Sequence, residues 1–227
     1  MNAALVRPAL ARVLWIGGAQ WSGKTSVAQL LAVRHPLILY AYDYHDARSH
    51  ADRSRAQPDR YPHRHAAITA LDRDPDAMWV TPSPEQMAES ALQSFTERFQ
   101  MVLEDLITLP DGPPVLAEGW GFRPEMVAPL LESPRRAVFL VPTEEYREHQ
   151  LRTLTRAGQF NTAGVSDPER AQRNRVERDR LLAQDVVDSA ERLGLRVIMV
   201  DGSQGVAGLV ELVEAQFRPY LPRWLYN

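Results

Sequence analysis

GGAQWSGKT (Gly17 to Thr25) matches the pattern G-x-x-x-x-G-K-[ST] in full, through Gly18, Gly23, Lys24 and Thr25. The run ARVLWIGG before it predicts a short buried strand, and TSVAQLLAVRH after it predicts a helix, with Val27, Leu30, Leu31 and Val33 at helical spacing. Glycines let the backbone turn so that successive N–H groups point inward at phosphate oxygens, and the helix N-terminus adds partial positive charge. Residues Gly18, Ala19, Gln20, Trp21, Ser22, Gly23, Lys24, Thr25 and Ser26 are therefore the expected phosphate cradle. Lys24 would reach the outer phosphates, and the Thr25 hydroxyl would ligate Mg²⁺. A chance glycine turn before Lys-Thr would lack the strand and helix that flank this one.

Lys24 is the only lysine among the 26 basic residues of the chain; every other one is arginine. A compact ammonium suits phosphate as a point charge, so the one exception falls where that chemistry needs it. The length of 227 residues predicts one α/β domain, spanning 1–227, and 44% hydrophobic content is enough for a sizeable core. A formal net charge of −3 supplies no general attraction to nucleic acid or anionic membrane. The chain has no cysteine, which excludes disulfides and thiolate metal sites. No apolar run reaches membrane-spanning length, and the faintly signal-like N-terminus reads better as the first strand. The expectation is a cytoplasmic protein.

PLILYAYD (Pro36 to Asp43) predicts a second buried strand ending on a carboxylate. Asp43 would serve chemistry at the strand's C-terminal end or cap the next helix. Residues 44–83, with five arginines and four histidines between His45 and His65, read as an irregular, mobile cationic insertion on the substrate side. Its histidines lack metal-ligand spacing. From Ser83 a long helix is expected, with a capping box to Gln86 and an apolar stripe through Met87, Leu92, Phe95, Phe99, Val102, Leu103 and Leu106.

PPVLAEGWGFRPEMV predicts a third strand ending on Glu118, placed to orient Mg²⁺ through its water shell. Gly119 and Gly121 would let the backbone approach ligand; Trp120 and Phe122 would stack on it or bury a cleft edge; Arg123 would clamp an anion. A fourth strand, Ala137 to Val141, leads into a helix carrying Arg152 and Arg156 four apart, on one face. A second helix from Ser166 holds Arg170, Arg173, Arg175, Arg178 and Arg180. Together, over about 152–180, these read as a phosphate-covering lid or as a solvated ion-paired face, with Arg156, Arg173 and Arg178 favoured for phosphate. LRVIMVDGS supplies a fifth strand and turn, and the tail is expected to pack through Trp224 and Tyr226.

The order strand–GGAQWSGKT–helix, strand–Asp43, long helix, strand–Glu118-Gly119, strand–arginine helices, strand–Asp201-Gly202 resembles the P-loop nucleoside- and nucleotide-kinase group, over nearly the whole chain. VLAEGWGFRPE is similar to the third strand and loop of adenylate kinases, with Glu118 in place of Asp. VDGS resembles their final turn, which implies that Asp201 to Gln204, Gly202 included, border the adenine ring. Asp43 resembles the acid after the second strand in shikimate-kinase and chloramphenicol-phosphotransferase-like enzymes, which implies service to a hydroxyl acceptor. The resemblance implies a three-layer P-loop fold with a five-stranded parallel sheet in the order 2-3-1-4-5 and a helical arginine-rich lid.

The expected function is ATP- and Mg²⁺-dependent phosphoryl transfer to a small-molecule hydroxyl. Lys24, Asp43, Arg156 and Arg173 would carry the chemistry, with Arg152 and Gly202 added to the nucleotide cradle, and Thr25 and Glu118 on the metal side. Two alternatives stay open: a nucleotide kinase with a phosphate acceptor, and a nucleotide-dependent switch without transfer chemistry. A nucleic-acid end kinase lacks the basic stripe with interleaved aromatics that it needs.

Overall fold

Five short apolar runs pair edge to edge in the computed structural model, which describes residues 3–155 and 164–222. They are β1 (Val13–Gly18), β2 (Ile38–Ala41), β3 (Val115–Glu118), β4 (Ala137–Pro142) and β5 (Arg196–Val200). Every pairing is parallel and the order is β2-β3-β1-β4-β5, the arrangement that the P-loop resemblance implied. The three inner strands are buried along their whole length, which is why they read as unbroken apolar runs. β2 and β5 lie at the edges and are partly exposed.

Side chains alternate across the sheet and build two cores. Leu14, Ile16, Leu116, Val138 and Leu140 face Val27 and Leu31 of α2 (Lys24–Arg34) on one side. Trp15, Ala117, Phe139 and Val141 face the other, against Phe99, Val102 and Leu106 of the long helix. Each such large side chain contributes about 1.5–3 kcal/mol by leaving water, which fixes the layers around the sheet. A further helix, α1 (Ala3–Leu10), precedes β1.

After β2 the chain does not loop. Between α3 (Tyr42–His45) and α4 (Ala51–Ala56) a π-turn runs over Asp46–His50, and α5 (Pro62–Arg73) and α6 (Pro75–Trp79) follow. The irregular insertion expected over 44–83 is thus a set of short helices. Pro62 and Pro75, which punctuate the sequence like loop residues, occupy first helical turns, where a missing N–H is harmless. A buried polar network fastens this cap: Asp105 accepts from Tyr40 Oη and His50 Nε2, both at 2.8 Å, and pairs with Arg53.

α7 (Pro84–Ile107) begins with the expected capping box, Ser83 and Gln86 each satisfying the other's backbone N–H. A short α8 (Pro124–Val127) follows β3, and α9 (Glu144–Thr153) follows β4. α9 ends at Thr153, with Leu154 extended. Arg156, Trp224 and Tyr226 lie outside the described residues. α10 (Pro168–Arg192) packs its C-terminal half, through Val186 and Ala190, on the same face as α7. α11 (Gly205–Phe217) closes the opposite face beside α2.

Candidate functional site

The phosphate loop leaves β1 at Gly18, whose φ is +121° and where a Cβ would meet the Leu140 backbone oxygen at 2.1 Å. Only glycine fits that step. Ala19 N then donates to Leu140 O at 3.0 Å, tying the loop to β4. Gly23, at φ +80°, hands over to α2, whose first residue is Lys24. Between them Trp21 adopts φ +61°, the one non-glycine with positive φ among the described residues. A bulky residue held there carries backbone strain of about 1–3 kcal/mol, which persists only where surrounding structure enforces it.

Lys24 is almost completely buried and lies across the loop's own mouth. Its Nζ donates to Ala19 O at 2.5 Å and to Ser22 Oγ at 3.3 Å. Burial pushes the ammonium down to about 8, with Asp43, Glu118 and Asp179 opposing the fall. Glu118 ends β3, in register with Ile16 of β1 and Ala41 of β2, so it opens at the C-terminal edge of the sheet. Thr25 Oγ1 donates to Glu118 Oε2 at 3.1 Å. Burial raises the Glu118 carboxyl, and Lys24 draws it back.

Asp43 lies two residues beyond β2, in the first turn of α3. The N-cap of that helix is Ala41 and no side chain caps it, so Asp43 is not the cap. It is open to solvent at the cleft, yet the surrounding protein still raises its carboxyl, with Lys24 the largest opposing influence. Lys24, Asp43 and Glu118 thus come from three strand ends and act on one another electrostatically.

Two cavities flank the loop. One, of about 340 Å³, runs from Trp21, Ser22, Gly23 and Ser26 to Tyr146 and to the turn bearing Asp201, Gly202 and Gln204. Gly202 has φ +85°, and a Cβ there would strike the Tyr146 ring at 2.6 Å. The other cavity, of about 470 Å³, starts at Gln20 and runs between α5, α6 and α7. Its polar end holds Asp46, whose Oδ2 accepts from Arg64 at 3.0 Å and from Arg98 at 3.1 Å. Trp79, Trp120, Met78 and Met87 wall the remainder, with Arg178 over both tryptophan rings at 5.2 and 5.6 Å.

The arginines divide by helical face. Arg173 is exposed and pairs with Glu169 at 3.6 Å, and Arg152 is exposed and pairs with Glu148 at 3.5 Å. Arg175, Arg178 and Asp179 are buried instead. Arg175 sits over the Trp21 ring, and Arg178 bonds Asp179 at 2.6 Å. Their signal was present in the sequence: Ala171, Arg175, Arg178, Leu182 and Val186 continue one stripe at helical spacing. Arg64, Arg98 and Asp46 carried no comparable signal.

The loop after β3 departs from expectation. Gly119 and Gly121 give room to the Tyr42 side chain, for a Cβ at Gly119 would lie 2.3 Å from Tyr42 Cβ and one at Gly121 2.4 Å from the ring Cζ; they do not clear a path for ligand. Phe122 is fully buried against Trp15, Tyr42 and Phe99, too deep to stack on a ligand. Arg123 is buried in an ion pair with Asp185 and a 3.0 Å bond to Leu182 O, a structural pin instead of an anion clamp. Trp120 of the same loop does line the larger cavity.

Among the described residues no group of three or more His, Asp or Glu gathers to hold a metal. Thr25 and Glu118 instead form a pair of hard oxygen donors beside the phosphate cradle. That set fits an ion such as Mg²⁺, which takes its remaining ligands from water and phosphate. No described helix is long and apolar enough to cross a membrane.

No protein-family profile and no curated protein matches the chain. Among solved structures it is similar to a thymidylate kinase from Candida albicans, at 12% identity over 92% of each chain with a TM-score of 0.47. Identity that low carries no residue-by-residue correspondence, and the chemistry of the site rests on its own atoms.

Proposed function

We propose that this protein transfers the γ-phosphoryl group of ATP, with Mg²⁺, to the hydroxyl of a small molecule. The observation that carries the reading is the convergence of Lys24, Asp43 and Glu118 at a phosphate loop with a cavity on either side. The smaller cavity, bordered by Gly202 and Tyr146, suits the nucleotide base, and the larger suits the acceptor.

In this reading the amides of residues 19–25 hold the β-phosphate, and Lys24 turns from Ala19 O to the β and γ oxygens. A bound phosphate would restore the lysine's full charge by supplying the counter-charge that burial removes. Thr25 and Glu118 would hold Mg²⁺, which shields the phosphate oxygens when bound. Asp43 orients the acceptor and takes its hydroxyl proton as the acceptor oxygen bonds to the γ-phosphorus. The bond from that phosphorus to the bridging oxygen breaks, and ADP leaves with the electron pair. Arg175 and Arg178, on the buried face of α10, are better placed than Arg173 or Arg152 to meet charge developing at the loop; Arg156 keeps its proposed role on sequence grounds.

The test is ADP release measured with a broad panel of hydroxyl compounds. Steady ATP turnover that no compound stimulates would refute the proposal. A second reading, a phosphate acceptor, is favoured by one observation: Arg64, Arg98 and Arg178 all line the larger cavity. That reaction needs no base, so Asp43→Asn would leave most of its rate intact, whereas hydroxyl transfer would lose it.

A further inference from the structure

The larger cavity has a polar end and an apolar end, and both are specific enough to describe its occupant. At the polar end three buried atoms have no hydrogen-bond partner in the protein: Asp46 Oδ1, Arg64 Nε and Ser94 Oγ. Leaving each unmade costs about 1–3 kcal/mol, so a small shift of these side chains toward a ligand that both donates and accepts would recover bonds that the free protein lacks. Charge there does not cancel. Arg64 and Arg98 share the single carboxylate of Asp46, and Arg178 bonds Asp179, so three guanidinium groups line the cavity against one lining carboxylate, with Asp43 acting on Arg98 from beyond the lining. Arg98 is itself nearly buried and lies over the Phe95 ring at 4.6 Å, so its charge is poorly served by water.

The apolar end is a slot. Ala66, Ala67 and Ala70 of α5 and Ala91 of α7 present only methyl groups, facing Trp79 and two adaptable methionines. Small residues opposite an aromatic wall leave room for a flat body. A volume of about 470 Å³ lies within the range of small-molecule sites.

We propose that this cavity binds a flat, ring-bearing monoanion that carries a hydroxyl close to its charged end, the ring lying in the alanine–tryptophan slot and the anion meeting Arg64 and Arg98. The inference rests on reading this cavity as the acceptor site, and it names the class of acceptor. The hydroxyl would lie toward Gln20 and Asp43, on the loop side, with Asp46 Oδ1 accepting from it or from a neighbouring donor.

Three probes, each with a hydroxyl beside the polar end, separate ring from charge: mandelate has both, 2-hydroxyhexanoate lacks the ring, and 1-phenyl-1,2-ethanediol lacks the charge. Calorimetric titration of the full chain should show mandelate binding at least about tenfold more tightly than either of the others. Arg64→Gln should abolish the preference for the charged ring compound over the uncharged one. Ala91→Trp, which fills the slot, should abolish ring binding; Ala67→Leu serves if that variant melts early. Equal binding of the three probes, no binding at millimolar concentration, or binding unaffected by filling the slot would overturn the proposal. Mg-ATP affinity, measured on the same samples, separates the two readings. Ring-anion binding without ATP binding would refute the kinase reading and support the cavity assignment. ATP binding with no ring-anion preference would do the reverse.

Discussion

Replacing the phosphate-loop lysine should make this protein more stable while removing its ligand. In the free protein burial holds Lys24 at about 8 against its ordinary 10.5. At about 1.36 kcal/mol for each tenfold change in proton affinity, keeping the ammonium charged at pH 7 costs the fold about 3 kcal/mol. Lys24→Met keeps the length and removes the charge. It also loses the bonds to Ala19 O and Ser22 Oγ, worth about 1 kcal/mol each. Ala19 O keeps a partner in Ser22 Oγ at 3.0 Å, so no buried acceptor is orphaned. The net gain is about 1–2 kcal/mol, or a rise in Tm of roughly 3–6 °C for a chain of this size.

The pH dependence gives the sign. Below pH 8 both the folded and unfolded wild type carry a charged lysine, and the penalty is complete. Between 8 and 10.5 the folded state releases its proton first, so wild-type stability rises with pH relative to the variant. Above 10.5 the advantage of Lys24→Met is gone, leaving only its lost hydrogen bonds. Thermal melts at pH 7, 9 and 11 would follow this. Saturating Mg-ATP should reverse the order at pH 7, since ligand at a hundred times its Kd adds about 2.7 kcal/mol to the wild type and little to the variant. A variant that melts below wild type at pH 7 without nucleotide, or whose advantage is the same at all three pH values, would refute the reasoning.

Asp43→Asn should lower kcat for a hydroxyl acceptor by about 10²–10⁴ with Mg-ATP affinity within about threefold of wild type; because the Asp43 carboxyl is raised, the wild-type rate should climb with pH through a value above 3.8, and the variant should lose that limb. Asp105 offers a stability test: burial would raise it, but bonds from His50, Arg53 and Tyr40 more than offset this and hold it at about 2. That contributes about 2 kcal/mol, fully present above the unfolded value of about 3.8 and lost as pH falls through 2. Asp105→Asn should therefore cost about that much in urea melts at pH 7, and the gap should narrow as pH drops below 4; a gap that stays constant would sink the account. Gly119→Ala puts a Cβ 2.3 Å from the Tyr42 Cβ and should destabilise by about 1–3 kcal/mol, and a neutral result would show that the Tyr42 ring moves freely.

What could be read from the chain was what is local along it. The phosphate loop is nine consecutive residues, so its glycines, its lysine and its flanking elements are all visible together. The Ser83–Gln86 capping box is equally compact. The cap over 44–83 was misread for a physical reason: proline marks loops and first helical turns alike, and only packing tells them apart. The arginine helix shows a different limit. Composition says that charges abound, but whether Arg173 or Arg175 faces inward depends on a rotation of about 100° per residue. Following the stripe back from Val186 and Leu182 resolves it, whereas counting arginines does not.

The two sides of the loop differ in the same way. The proposed nucleotide side draws on one contiguous loop and one turn, and both left marks in the sequence. The larger cavity gathers Asp46 from a π-turn, Arg64 from α5, Ser94 and Arg98 from α7, Trp120 from a loop and Arg178 from α10. No two of these elements are joined by a recognisable spacing, and their meaning arises only when one carboxylate is found shared between two arginines. Selectivity assembled this way can also be altered by single changes on any contributing helix without touching the Gly18–Thr25 loop. Exchanging Arg64 or Ala91 should therefore change which acceptor is bound while leaving the phosphate chemistry in place. A variant at either position that lost Mg-ATP binding as well would show that the two sides are not separable, and that the cavity belongs to the nucleotide.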